Sequence, residues 1–108
     1  MFRSDRLRKI CNDERKARAE LGMEMAKVLR RRLDALRAAP TLACMRNLPG
    51  RCHELTGNLA GVISIDLRGQ YRLLFVPMGD PVPTKPDGGL DWTRITKVEV
   101  FAVEDTHE

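Results

Sequence analysis

The sequence predicts an α+β domain: an N-terminal helical hairpin packed on a small, mostly antiparallel sheet. Three observations predict it. Residues 1–39 hold no proline and only one glycine, and their apolar residues recur at helical spacing. Beyond Gly50 the spacing switches to period two, in short runs separated by glycine. The segment from Pro40 to Gly50 divides the two regimes, so helices come first and strands after, the order of an α+β fold. A chain of 108 residues is the usual size for a single core, so residues 1–108 are expected to form one domain.

The helical region begins at Ser4, a suitable N-cap, with Asp5 placed to meet the positive end of the helix dipole. Pro40 ends it. One unbroken helix of that length would run roughly 50 Å. A domain of this size is only about 26 Å across, taken as twice its expected radius of gyration. The chain must turn back, and Gly22 is the natural breakpoint, giving helices over residues 5–21 and 23–39. In the second helix Met25, Val28, Leu29, Leu33 and Leu36 form one apolar stripe, with Lys27, Arg30, Arg31, Asp34 and Arg37 pointing elsewhere. The first has a weaker stripe of Leu7, Ile10, Cys11, Ala17 and Leu21. Both stripes read as core.

Four strands are expected at about 51–55, 62–67, 71–77 and 95–103. Arg68-Gly69-Gln70 makes a tight hairpin between the second and third, and Gly57 to Gly61 links the first and second. Residues 79–91 contain three prolines and three glycines and read as an irregular loop, longer than a hairpin needs. Period-two parity then sorts the faces. Ile63, Ile65 and Leu67, with Tyr71, Leu73 and Phe75, and Val98, Val100 and Ala102, turn to the core. Ser64, Asp66, Arg72, Lys97, Glu99, Phe101, Val103, Asp105 and His107 fall on the opposite face, and His53 shares parity with Arg51 and Leu55. A sheet with one face on a core and the other carrying isolated polar groups suits a polar ligand.

Bulk composition narrows the function. The apolar fraction of 43% supports a modest core, and with aromatics at 5% that core must rest on Leu, Val, Ile and Met. No apolar run approaches the ~20 residues of a membrane span, and the charged start lacks the apolar core of a secretory leader. Three cysteines, Cys11, Cys44 and Cys52, without paired spacing read as reduced packing residues of a cytoplasmic protein. Adjacent Cys52 and His53 cannot ligate one ion in ordinary geometry, so no metal site is expected. Charge is uneven: residues 1–39 hold twelve Lys/Arg against six Asp/Glu, the remainder seven against nine. The helical half is therefore the basic half. It reads either as a surface for nucleic-acid phosphates or as a solvated face laced with i,i+4 pairs.

The ordered set of Leu48-Pro-Gly-Arg-Cys-His-Glu-Leu-Thr-Gly57, Ser64-Ile-Asp-Leu67, Tyr71-Arg-Leu-Leu-Phe75 and a closing Asp105-Thr-His107, after a charged helical start, resembles the HigB branch of the RelE/ParE toxin superfamily. The resemblance runs from about Leu7 to His107. It implies a toxin of a type II toxin–antitoxin system, acting on mRNA at the ribosome as an endoribonuclease. It also implies a cognate antitoxin, expected in this branch to be a helix-turn-helix DNA-binding protein. Two departures stand out. The family's first strand normally precedes the helical hairpin, and here only Met1-Phe2-Arg3 is available, leaving one sheet edge poorly covered. Family toxins often carry Tyr between the closing Asp and His, and here Thr106 stands there, which neither stacks on a base nor donates a proton well.

The chemistry expected of such a site is attack of an RNA 2′-OH on the adjacent phosphate, which needs alignment, proton transfer and charge stabilisation but no cofactor or metal. Arg72 suits the phosphate, because a guanidinium binds two oxygens in one plane. His107 and His53 suit proton transfer near neutral pH, and Asp105 could orient a histidine. Arg30, Arg31, Arg37, Arg46 and Arg51 are the candidates to hold RNA backbone. The alternatives are a gyrase-inhibiting toxin of the same fold, like ParE, and a decayed, non-catalytic RNA- or protein-binding module.

Overall fold

A computed structural model of the chain describes residues 1–105. Three helices, α1 (Asp5–Asn12), α2 (Glu14–Leu21) and α3 (Met23–Ala38), pack on one face of an antiparallel sheet. The sheet holds β1 (His53–Glu54), β2 (Ile63–Asp66), β3 (Tyr71–Pro77) and β4 (Val98–Asp105) in that spatial order. This is the expected α+β architecture.

The helical start follows local chemistry. The Ser4 hydroxyl accepts the Leu7 N–H at 3.2 Å, as a cap should. The expected single helix over residues 5–21 is two helices. Asp13 takes an extended backbone (φ −120°, ψ 107°), ends α1, and caps α2 by accepting the N–H groups of Arg15 and Lys16 at 3.0 and 3.3 Å. An aspartate that can satisfy two otherwise orphaned donors competes with helix continuation, and here it wins. The bend lets Ile10 and Cys11 of α1 and Ala17 of α2 all reach the core. Gly22 breaks the chain where expected, at φ +86°, and a side chain there would meet nothing, so the backbone angle alone asks for glycine. At the far end Ala39 goes extended ahead of Pro40.

The core is a single cluster. Met25, Ala26, Leu29 and Leu33 of α3 pack over Ile63, Ile65, Leu73 and Phe75, with Val28 and Leu36 half-buried at its margin. Each fully buried Leu, Ile or Phe stabilises by roughly 1.5–3 kcal/mol. The β2–β3 hairpin turns through Gly69 at φ +64° and closes with Leu67 N–H to the Tyr71 carbonyl at 2.9 Å.

β4 starts later than residue 95, because Ile95 is spent on the core while its carbonyl accepts the Leu42 N–H. The Trp92 carbonyl accepts the Ala43 N–H in the same way, so residues 92–95 clamp the short 3₁₀ turn Leu42–Met45. Residues 79–91 are not irregular throughout. Thr84 and Leu90 form a bridge around a turn closed by Lys85 N–H to the Gly89 carbonyl at 2.7 Å. Met1–Arg3 does act as a strand fragment: Phe2 pairs in parallel with Val100, through Arg3 N–H to Val100 O and Val100 N–H to Met1 O. It covers only the first part of the β4 edge.

The largest departure from parity lies in β4. Phe75 pairs with Val100 but Leu74 pairs with Ala102, so Phe101 is an extra residue, a β-bulge. Past it every side chain of β4 changes face. Val103 opposes Leu73 on the core side, and Ala102 joins Leu74 on the other.

Candidate functional site

The site lies on the sheet face turned away from the helices, where two cross-strand rows lie side by side. One row runs His53, Ser64, Leu74, Ala102 across all four strands. The next runs Asp66, Arg72, Glu104. Ser64 and Leu74 are buried, so this face is partly closed and not the open surface expected.

The Pro49-Gly50-Arg51 turn shapes its edge. Gly50 sits at φ +111° and its carbonyl accepts the Asp66 N–H at 2.6 Å. Arg51 follows at φ +49°, which an L side chain adopts at some cost. This pair of positive angles aims the Arg51 carbonyl at His53 Nδ1, 2.5 Å away. A carbonyl only accepts, so Nδ1 carries the proton and the neutral ring keeps its lone pair on Nε2. His53 is thereby held in the tautomer of a general base.

Arg72 is half-buried, and no hydrogen bond or ion pair engages its side chain among the described residues; its Nε is buried outright. Two acids on the same face of the sheet are occupied by other arginines. Asp66 accepts from Arg51 Nε at 2.7 Å, and Glu99 accepts from Arg3 Nε at 2.8 Å. The Asp66 carboxylate holds the Arg51 guanidinium above its usual range, first by hydrogen bonding and then by charge. Arg72 thus keeps its five donors for something else.

Asp105 is corrected by the bulge. It lies opposite Tyr71, not in the Arg72 row, and Glu104 takes the place parity had given it. Nothing in the spacing betrays one extra residue, so Glu104 escaped the sequence reading. His107 lies outside the described residues.

The five arginines expected to hold RNA do not form one surface. Arg30 donates to the Cys11 carbonyl and pairs with Asp34 at 3.4 Å, and Arg37 donates to Asn12 Oδ1 at 3.1 Å, so both tie α3 to α1. Arg31 is exposed and unpaired among the described residues, but α3 packs on the opposite side of the sheet from Arg72. Arg46 stacks over the Trp92 ring at 3.8 Å, and Trp92 Nε1 donates to Glu54 at 2.7 Å. Arg51 alone is bonded into the row that holds Arg72.

Burial pushes the Cys52 thiol, beside His53, up to about 12, which removes it as a nucleophile. Cys44 departs from the packing role: it is exposed, and hydrogen bonds from Thr41 lower its pKa.

The HigB-like toxin family, RelE-like toxins of the type II toxin–antitoxin system HigB, matches residues 1–82. The chain belongs to this family. The match spans the helices, His53, Ser64, Asp66 and Arg72, and ends before β4. Membership in a type II system implies a cognate antitoxin. No curated protein matches the chain. Among the described residues no helix is long and apolar enough to cross a membrane.

Proposed function

We propose that this toxin is a cytoplasmic, ribosome-associated endoribonuclease that cleaves mRNA through its own 2′-OH, with no metal taking part. The observation that carries this reading is an uncommitted arginine, Arg72, one row from a histidine held in its base tautomer, His53. In the proposed reaction His53 Nε2 takes the 2′-OH proton as the 2′-oxygen bonds to phosphorus. Arg72 binds the phosphate oxygens as charge builds on them. The bond from phosphorus to the 5′-oxygen then breaks. That oxygen leaves with a proton, giving a 2′,3′-cyclic phosphate and a 5′-hydroxyl. His107, in the closing Asp-x-His to which the resemblance points, is proposed to give that proton, and Asp105, opposite Tyr71, is given no role in the reaction. Arg51, bonded to Asp66 through Nε, would hold the RNA backbone beside Arg72 with its terminal nitrogens. Arg31 would meet a polyanion only from the helical side. The antitoxin is proposed to be a helix-turn-helix DNA-binding protein.

Induced expression of the wild type, Arg72→Ala and His53→Ala, with growth followed and mRNA 5′ ends mapped, tests the reading. Growth arrest with new cleavages inside coding regions is expected for the wild type. Loss of a transition-state charge contact predicts a drop of roughly 10²–10³-fold for Arg72→Ala. Arrest without cleavage would instead favour a gyrase-type toxin of this fold. No arrest from folded protein would favour a non-catalytic binding module.

A further inference from the structure

We propose that Ser64 is a positioning residue of this site, whose hydroxyl takes the Nε–H of Arg72 when RNA is bound and so turns the two terminal guanidinium nitrogens toward the phosphate. The inference rests on the reading of this face as an RNA-cleaving site.

Two side-chain atoms in the described residues are buried without a partner, Ser64 Oγ and Arg72 Nε. A buried hydroxyl with no partner is destabilising, and alanine would fit the same space without that penalty. The two orphans are complementary, since Nε only donates and a hydroxyl accepts. They are also neighbours. Ser64 pairs with Leu74 and Asp66 with Arg72, so Ser64 and Arg72 are diagonal on one face of adjacent strands. Diagonal positions lie roughly 7–8 Å apart at Cα, within the span of a long side chain meeting a short one. Of the two acids across from Arg72, Asp66 is bonded to Arg51, and Glu104 forms no ion pair with Arg72 among the described residues. An arginine held at Nε presents its remaining donors as a fixed fork, the form that binds phosphate best.

Ser64 also faces His53 across the β1–β2 pair, so the experiment must separate the two partners. Cleavage of a short end-labelled mRNA on programmed ribosomes would be measured for the wild type, Ser64→Ala, Arg72→Lys and the double variant, with melting temperatures alongside. Lysine keeps the charge but has no Nε–H. Ser64→Ala is expected to melt at or above the wild-type temperature, to lose about ten- to a hundredfold in kcat with little change in KM, and to add nothing in the Arg72→Lys background. Wild-type kcat in Ser64→Ala, or the same further loss in the Arg72→Lys background, overturns the proposal. Loss of activity that follows a fall in melting temperature also overturns it. If Ser64→Ala fails either way while the wild type cleaves, the ribonuclease reading stands and this inference alone falls. A wild type that does not cleave at all removes both.

Discussion

Gly50 carries the most constraint of any single residue near the site. A Cβ there would lie 2.7 Å from Ile65 Cγ2 and 2.8 Å from Arg32 Nε, and the backbone sits at φ +111°. Gly50→Ala should therefore destabilise through both overpacking and strain, by about 2–4 kcal/mol, read as a lower urea midpoint at unchanged slope. An unchanged midpoint would show that the turn is loose and that His53 is not held as described. The cysteines offer a second residue-scale check. Cys44 is exposed with a lowered pKa, while Cys11 and Cys52 are buried with raised ones. Iodoacetamide at neutral pH should add one group, at Cys44, before the others react, as mass spectrometry of peptides would show. Equal labelling of all three would contradict the burial. At this scale the sequence was readable where one residue type has one use. Arg72 and His53 stood out by chemistry. Ser64 was placed on the right face, but its burial depends on what closes over it, and no pattern in β2 reports that.

Elements were legible where a strong local signal met an ordinary geometry. The Ser4 cap, the Gly22 break, the Pro40 stop and the Gly69 hairpin all follow from side chains that permit little else. The failures came from single residues with two options. Asp13 is a tolerable helix residue and a better cap, and only the gain in packing Ile10, Cys11 and Ala17 together decides between them. Asp13→Ala should lose the bonds to Arg15 and Lys16 and cost about 1 kcal/mol, measured by thermal or urea unfolding. A variant as stable as the wild type would mean that the bend is held by the core alone. The bulge at Phe101 is the costlier miss. Period-two counting assumes an unbroken ladder, so one inserted residue moves the end of β4 to the other face and exchanges Asp105 for Glu104 beside Arg72.

Across the whole molecule the two layers differ in character. The helical layer carries most of the basic charge and the candidate site lies on the far side of the sheet, so the charge asymmetry does not point to it. The layers meet at a core that shields two thiols, and this sets how stability should respond to alkali. Burial raises Cys11 from the ordinary 9.0 to about 11 and Cys52 to about 12, with nearby arginines pulling weakly the other way. In the unfolded chain both thiols would ionise near the ordinary value. Between about pH 9 and the raised folded values the folded protein therefore binds more protons than the unfolded one, and stability falls as pH rises. The contribution is intact below pH 9 and is lost progressively toward pH 11–12. Its size is on the order of a few kcal/mol at most, once solvent relaxation around the thiolates is allowed for. Lysine and tyrosine titrate in the same range, so the measurement is a difference. Urea midpoints from pH 7 to 11 would be compared between the wild type and a Cys11→Ala/Cys52→Ala variant. The variant is expected to start less stable, because it loses packing, and to fall less steeply above pH 9. Parallel curves would mean that the thiols are not sealed by the contact between helices and sheet, and that the two layers open to solvent more readily than their packing implies.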